Sequence, residues 1–360
     1  MIPIELKPFP DEAISSWIIR NAIANGSDPS SWSAGIWPEW RIWTRDIDRS
    51  FPVERANKLS KITSLTADEI KHMTLEPFIC RIEDVEELNV NAKWKWVIPT
   101  GERGSIKVNG MHFCPECLSD PVPYLKKQWR LSWNTVCSKH RCYLLLHCPE
   151  CNEAFSPYKV TYENTDFTFC THCGFDLKRA RISVANVEIS NVQEQINRFI
   201  FEESHDDFPL ELKAKTIADF FTSFRLIVLF FRRLHHFESH HKIILHELGL
   251  SLGDCVCNYH KGDYFDALSV EERASVLLQA MNFLQLPVVR MIDVLKSSQI
   301  SQQMFIGEVE FRTDFINEIM YRLDDKSRDY PKRTTIQEEI KPKSKEEVLE
   351  VMEELRGFIS

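Results

Sequence analysis

The sequence predicts a mostly α-helical protein with two small zinc-ribbon or zinc-finger modules in its middle. Three features predict this fold class. Apolar residues recur at helical spacing in both halves of the chain, capping residues precede several of these stretches, and eight Cys and His residues between positions 114 and 173 form two sets of four. We therefore expect an N-terminal helical region with a helix-turn-helix-like part (1–111), tandem zinc modules (112–182), a C-terminal helical domain (186–326), and a linker with a terminal helix (327–360).

Composition and charge narrow the class of protein. The chain has 360 residues, 43% of them hydrophobic, which is enough to bury a core, and its formal net charge of −9 argues against a general nucleic-acid-binding protein. Residues 1–7 lack the features of a signal peptide, and the longest apolar run, 226–231, is too short to span a membrane. We expect a cytoplasmic protein, because paired cysteines in a reducing compartment bind metal ions and do not form disulfides.

Short helices are predicted along the N-terminal region. A helix is predicted over 10–26, because Asp11 follows Pro10 and Glu12 lies in the first turn. Trp- and Pro-rich turns fill 28–52. A helix over about 53–62 is followed by a second one, which a capping box of Thr66 and Glu69 opens. Two short helices across a turn have helix-turn-helix geometry, and a plain helical hairpin is the equally good alternative.

Two sets of four metal ligands are the strongest signal in the sequence. In each set, two ligands separated by two residues are followed, after 18 or 19 further residues, by a second such pair. The first set is Cys114, Cys117, Cys137 and His140, and the second is Cys148, Cys151, Cys170 and Cys173. A two-residue gap lets a tight turn direct two ligand atoms at one ion, so this spacing predicts two structural zinc ions.

The same ligand count argues against an enzyme. A catalytic zinc ion keeps one coordination position open, whereas each set offers four protein ligands. The sequence contains no H-E-x-x-H motif, no H-x-E of the zinc deaminases and no Walker A loop. We therefore predict a non-catalytic protein with two structural Zn(II) ions.

Basic and aromatic residues surround the first ligand set. The candidate contacts to nucleic acid or a partner are Lys126, Lys127, Arg130, Lys139 and Arg141. Trp129, Leu131 and Trp133 alternate like the buried face of a strand, so we expect the tryptophans to be buried and the charges exposed. Residues 158–162 of the second module also predict a strand. Residues 93–182 hold 13 Lys/Arg against 8 Asp/Glu, so the remainder of the chain sums to −14.

Amphipathic helices are predicted for the C-terminal half. The stretches are 186–200, 212–237, 269–284 with a Ser269/Glu272 capping box, 288–295, 310–323, and a terminal helix that Ser344 and Glu347 open after a polar linker over 327–342. Residues 284–305 are a second helix-turn-helix candidate, although their surface chemistry does not decide this.

Two further Cys/His groups leave alternatives open. His235, His236, His240 and His241 lie near a predicted helix end, where histidines complement the helix dipole more often than they bind a metal. A third knuckle could form from Cys255, Cys257 and His260, but these lack an obvious fourth ligand, so a third metal stays open.

Three stretches of the chain form a specific combination. They are the opening P-F-P-D-E-A-I-S-S-W-I-I-R over 8–20, Asp46-Ile47-Asp48, and W-R-L-S-W over 129–133 leading into Cys137-Ser138-Lys139-His140 and Cys148-Pro149. Together they resemble the TniQ family of transposon target-selection proteins and its TnsD relatives. The resemblance covers roughly residues 1–180. It implies that all eight ligands hold zinc and that a helix-turn-helix lies near 53–75.

The resemblance also implies a function in bacterial DNA transposition. Members of the family recognise a target, either by binding DNA directly or by docking on a Cascade-type guide-RNA effector complex. They recruit an AAA+ ATPase regulator, which in turn calls in the transposase, and they do not cut or join DNA themselves. Members of the Cascade-bound type form head-to-tail homodimers. The acidic balance of this chain favours a CRISPR-associated adaptor over a stand-alone, TnsD-like DNA-binding protein.

Overall fold

Helices dominate the computed structural model, which describes residues 2–89, 92, 94–100, 110–164, 166–201, 214, 216–251, 264–306 and 312–324. In this part, the β-structure consists of isolated antiparallel bridges. The predicted fold class, mostly α with two zinc modules, is confirmed. The helices are α1 (Ile14–Ala24), α2 (Pro29–Ile36), α3 (Val53–Ser60), α4 (Ala67–His72), α5 (Glu76–Glu83), α6 (Pro115–Leu118), α7 (Val187–Phe201), α8 (Ile217–Leu234), α9 (Glu238–Glu247), α10 (Val270–Leu284), α11 (Val288–Ser297), α12 (Gln302–Phe305) and α13 (Asp314–Arg322).

The first helix is shorter than the sequence predicts. It begins at Ile14 with Ala13 at the N-cap, and no neighbouring side chain caps it, so the predicted start at residue 10 is wrong. The cap comes from elsewhere in the chain: the backbone N–H of Ser15 donates to Oδ1 of Asp48 over 2.9 Å. The acidic side chain of Glu12 instead accepts hydrogen bonds from Ser16 and Arg20 inside the protein.

A cluster of apolar side chains packs α1 to α4 together. Trp17, Trp37 and Leu59 are fully buried in it. Helix α2 lies where the sequence suggested only turns, because Asp28 caps it and Pro29 occupies its first position. The predicted capping box of Thr66 and Glu69 at α4 is confirmed.

The two segments predicted to form a helix-turn-helix differ in geometry. Six residues separate α3 from α4, more than the three or four of the usual motif. Helices α10 and α11 are joined by three residues and bend by 118°, which is within the range of helix-turn-helix pairs. Both assignments stay predictions, since neither geometry is specific to DNA-binding proteins.

The C-terminal helices pack around α10, which is buried along most of its length. Its predicted capping box of Ser269 and Glu272 is confirmed. Helix α13 begins at Asp314 with Thr313 as the capping residue, later than the predicted position 310. Phenylalanines of α8 supply much of this core, because Phe220, Phe224 and Phe230 are almost completely buried.

The two predicted strands are wrong as strands, although the burial prediction is confirmed. Pro157–Lys159 forms a 3-10 turn, in which the N–H of Lys159 donates to Ser156, so residues 158–162 do not pair as a strand. Trp129, Leu131 and Trp133 are buried as expected. Around them, however, Lys127–Arg130 is another 3-10 turn, and Leu131 makes a single bridge to Val97.

Residues 1–323 form one compact unit, so the predicted four-part division stays a prediction. The predicted linker and terminal helix, and the third-metal candidates Cys255, Cys257 and His260, lie outside the described residues. In the described part, no single helix has the length and hydropathy to cross a bilayer. Helices α10 and α11 meet those criteria only as a bent pair.

Candidate metal centres

The first ligand set converges on one point. The Nδ1 atom of His140 lies 3.4 Å from Sγ of Cys114, 3.3 Å from Sγ of Cys117 and 3.6 Å from Sγ of Cys137. The sulfurs of Cys117 and Cys137 are 3.6 Å apart. Zn–S bonds of about 2.3 Å put the sulfurs of a tetrahedral site roughly 3.8 Å apart, so this spacing suits one zinc ion.

The second set has the same geometry with four sulfurs. Sγ of Cys148 lies 3.7 Å from Sγ of Cys173, and Sγ of Cys151 lies 3.7 Å from Sγ of Cys170. All ligand atoms within each set lie within 4.8 Å of one another. The two clusters therefore fit two structural zinc ions, as the sequence predicted.

Three of the four ligand pairs share one backbone turn. In each, the carbonyl of the first ligand accepts a hydrogen bond from the backbone N–H four residues later. The pairs are Cys137 with Arg141, Cys148 with Asn152 and Cys170 with Gly174. The N–H donor has a left-handed backbone, with φ of 50° at Arg141, 60° at Asn152 and 75° at Gly174. The turn folds the chain back on itself so that two ligand atoms face the same ion.

The remaining ligand pair is built on a helix. Cys114 is the N-cap of α6, Pro115 is its first residue, and Cys117 lies within it. Helix α6 packs against the 3-10 turn Leu177–Arg179, which follows the last ligand of the second set. The two metal modules therefore support each other, and they share one apolar core.

Contacts with the C-terminal helices hold the first module in place. The side chain of Gln193 in α7 accepts hydrogen bonds from the backbone of Thr135 and Val136, and it donates to the carbonyl of Val136. The fully buried Arg273 of α10 donates to Nε2 of His112 over 3.1 Å. Burial lowers the pKa of His112 well below its usual value, so the neutral ring accepts this bond.

A fifth sulfur lies beside the first centre, and the sequence reasoning did not place it there. Sγ of Cys142 is 3.6 Å from Sγ of Cys114, and the residue is fully buried. Its thiol is positioned to donate to the Cys114 thiolate. The only sequence signal for it was that Cys142 follows His140 by two residues.

The four ligands of each centre leave no position for a reacting group, so the centres are structural. Without a cation, hydrogen bonding to Cys114 raises the pKa of Cys117 above its usual range. A metal ion removes that penalty, because it stabilises the thiolates together. The histidines at the end of α8 and the start of α9 (His235, His236, His240 and His241) do not form a metal cluster in the described part of the chain. His241 instead bonds to Gln279.

The five predicted contact residues are placed very differently. Lys127 and Arg130 are buried, so their expected exposure is wrong: Lys127 donates to the carbonyl of His72, and Arg130 forms a bidentate pair with Asp46. Lys126 is half-buried and pairs with Asp11. Lys139 is exposed and pairs with Asp120, and Arg141 is exposed. A contact role stays a prediction, and the exposed side chains of Lys139 and Arg141 are the better candidates for it.

Two further exposed cations were missed by the sequence reasoning. Arg179 and Arg181 follow the second ligand set, and the chain beyond them pairs with the knuckle that bears Arg141. This pairing runs through the bridge of Cys142 to Val184 and the hydrogen bond from Ala185 to Arg141. Arg141 is therefore carried by a segment that pairs with the chain following Arg179 and Arg181.

Several residues that carry the sequence resemblance form buried ion pairs. Arg130 contacts Asp46 at 2.6 Å and Asp48 at 3.4 Å, and it also donates to the carbonyl of Ile98. Burial raises the pKa of Asp48, and the charge of Arg130 opposes that effect. A second buried pair joins Glu12 to Arg20 at 2.6 Å. The pairs of Arg130 fix the Asp46–Asp48 segment to the chain that leads into Cys137, whereas the Glu12–Arg20 pair lies within the N-terminal region.

Comparison with known proteins agrees with the resemblance seen in the sequence. Residues 3–144 match the family model described as TniQ. This match contains the whole first metal centre and both buried ion pairs, and it ends before Cys148 of the second centre. No curated protein matches the chain.

Proposed function

We propose that this chain, whose residues 3–144 are a TniQ domain, is a target-selection adaptor for DNA transposition. The TniQ domain by itself implies a role in transposon target selection within a transposition complex. In the finer proposal, the chain recognises a Cascade-type guide-RNA effector complex at the target and recruits an AAA+ ATPase regulator, which brings the transposase. A homodimer is part of this proposal.

The observation that carries the proposal is the coincidence of the family match with a closed metal centre. The matched residues contain four ligands that converge on one ion and leave it no open position. The ion acts here as part of the fold, which suits a domain that presents binding surfaces to its partners. An adaptor needs such a rigid scaffold, since it must position two partners relative to each other.

The negative net charge of the chain favours protein partners over direct binding to DNA. Residues 93–182 carry a small positive excess, and the rest of the chain sums to −14. An acidic surface repels the phosphate backbone, which supplies most of the non-specific affinity of DNA-binding proteins. The same surface is compatible with docking on basic proteins of a larger assembly.

A recruitment assay tests the proposal. The tagged chain is mixed with the AAA+ ATPase encoded in the same element, with and without ATP, and transposition is measured in cells that lack the chain. We expect co-purification of the ATPase, and insertion events that return when the wild-type chain is supplied. As a control, Cys80→Ser should restore insertion like the wild-type chain, because Cys80 lies outside both ligand sets. Insertion at normal frequency without the chain would refute the proposal.

The alternative is a stand-alone, TnsD-like protein that binds its attachment site on DNA directly. The exposed cations Arg141, Arg179 and Arg181 favour it, together with the 118° bend between α10 and α11. Gel shifts on DNA flanking the element decide between the two. A specific complex that weakens steeply with salt supports the alternative, and its absence supports the adaptor.

A further inference from the structure

A cleft of about 380 Å³ lies between the N-terminal helices and the second metal module. Trp43 and Arg45 line one side of the cleft, Glu153, Tyr158 and Lys159 line the other, and Arg130 lies at the floor. This volume falls within the range of small-ligand pockets, roughly 300–1,000 Å³. None of the eight metal ligands lines the cleft, so it is separate from the metal centres.

The floor of the cleft carries one guanidinium and two carboxylates. Arg130 is buried against Asp46 and Asp48, which also line the cleft, and Arg49, outside the lining, interacts electrostatically with Asp46, so these charges compensate one another within the protein. Among the described residues, the Nε–H of Arg130 has no hydrogen-bond acceptor. The charges available to a ligand therefore lie at the mouth of the cleft.

The mouth carries two cations that the described part of the chain leaves without an ion-pair partner. Arg45 and Lys159 are both exposed. The ammonium of Lys159 lies 5.8 Å from the centre of the Tyr158 ring, so it stays beside the aromatic wall. One exposed carboxylate, that of Glu153, opposes them, which leaves the mouth with an excess of positive charge.

The wall of the cleft is aromatic. The rings of Trp43 and Tyr158 stack with their centres 5.3 Å apart and an angle of 10° between their planes. The indole N–H of Trp43 donates to the carbonyl of Pro29, which fixes the orientation of its ring. Each ring comes from a different part of the chain, so the wall exists only when the second metal module is folded against the N-terminal helices.

We propose that this cleft binds one unpaired nucleotide of a nucleic-acid strand. Arg45 and Lys159 contact the phosphodiester group, and the base packs against the Trp43–Tyr158 wall. Cations that follow the backbone, next to aromatic side chains that receive bases, are the recurring means of binding single strands. The inference rests on the proposed function, since a guide RNA or an opened target DNA supplies such a nucleotide.

Binding to labelled oligonucleotides tests the inference. Fluorescence anisotropy is measured for the full chain with a short single-stranded RNA, a single-stranded DNA of the same sequence, and the corresponding DNA duplex. We expect the single strands to bind and the double variant R45E/K159E to weaken binding roughly tenfold or more, with a shallower salt dependence. Glu153→Gln should strengthen binding, because it removes the opposing charge.

A charge reversal outside the cleft provides the matched control. The double variant K58E/K61E reverses two exposed charges at the end of α3, as R45E/K159E does in the cleft, and it should leave the affinity within about twofold. Each variant must bind two equivalents of zinc and unfold at the wild-type temperature, so that a loss of binding is not a loss of folding. Equal losses in R45E/K159E and in K58E/K61E would show a general charge effect and overturn the inference.

Cross-linking locates the bound base. A single strand that contains a photoreactive uridine should cross-link to the peptides that carry Trp43 or Tyr158, and cross-links confined to other peptides overturn the inference. A preference for RNA or for single-stranded DNA identifies the source of the nucleotide, whereas binding of the duplex alone overturns the inference.

The two proposals fail in different ways. If R45E/K159E binds oligonucleotides like the wild type while the AAA+ ATPase still co-purifies, the inference is wrong and the adaptor function stands. If the ATPase does not co-purify but the cleft variants lose binding to single strands, the adaptor function is wrong and the nucleotide site stands.

Discussion

The carboxylate of Asp48 caps helix α1 because its Oδ1 accepts the backbone N–H of Ser15, 33 residues earlier in the chain, over 2.9 Å. Its second oxygen accepts the Ser15 hydroxyl over 2.7 Å and faces Arg130. One buried side chain thus joins α1, the Asp46–Asp48 segment and the chain that leads into the first metal centre. Its bonds to Ser15 and Arg130 explain why the acidic side chain of Asp48 is buried.

Removing this carboxylate should destabilise the protein strongly. Asp48→Ala deletes the cap and leaves a buried N–H of Arg130 with a poorer partner, so we expect the free energy of unfolding to fall by about 2–4 kcal/mol. Asp48→Asn keeps an oxygen acceptor for Ser15 and should lose less. Denaturant titration measures both, with the exposed Asp68→Asn of α4 as the control. Similar losses in all three variants would contradict the role assigned to Asp48.

Each metal centre should contribute its ion and its module independently. Cys117→Ser and Cys170→Ser should each lower the zinc content by one equivalent, because every ligand of a four-coordinate site is needed. Limited proteolysis should then cut within the affected module. Cys80→Ser should keep both ions, since Cys80 lies outside the ligand sets. Full zinc content in either ligand variant would show that the centre was assigned wrongly.

The left-handed positions of the metal turns should respond to glycine in a predictable direction. Arg141→Gly and Asn152→Gly should each stabilise the protein by roughly 0.5–1 kcal/mol, because φ is positive at both. Gly174→Ala should destabilise by about 1 kcal/mol for the same reason. Gly35→Ala in α2 should have the opposite sign, since Gly35 lies inside a helix and has open space around it. Thermal unfolding with saturating zinc measures all four, and equal signs for the two alanine variants would refute the argument.

Stability should fall with acidification in part through His241. Burial lowers the pKa of this histidine, although its bond to Gln279 opposes the shift, so the folded state holds the neutral ring. The unfolded chain takes up a proton near pH 6.5, and stability is therefore lost as the pH falls below that value. His241→Gln should flatten the decline of the melting temperature between about pH 7.5 and pH 5.5. His235, whose ring centre lies 6.4 Å away and whose pKa burial also lowers, is left unchanged in both proteins.

Metal release could imitate this effect, so zinc content is measured at each pH. The ligand His140 is present in both proteins, and any loss of metal should be equal in them. An identical slope for the wild type and the His241→Gln variant would show that His241 does not contribute.

Local signals in the sequence were reliable where the structure depends on near neighbours. The ligand spacing predicted both metal clusters, and the capping boxes at Thr66 and Ser269 predicted two helix starts. Both are short-range features, because a tight turn or a first helical turn involves only a few consecutive residues. The same reasoning failed at α1, whose cap lies 33 residues away.

Burial of charge was the other failure of local reasoning. Trp129, Arg130 and Leu131 are consecutive, and alternation predicted an exposed arginine between two apolar residues. The arginine is nevertheless buried, because Asp46 and Asp48 meet it from a distant part of the chain and satisfy its charge. No pattern within residues 127–133 contains that information.

The sequence alone determined the eight metal ligands, the helical character of both halves and the resemblance to TniQ proteins, since spacing and periodicity encode them directly. Only the tertiary structure decided which charges face solvent. It also brought Trp43 and Tyr158 together into one cleft, and it placed Cys142 against the first centre. These relationships join residues that are far apart in the chain, and packing of the folded core sets them.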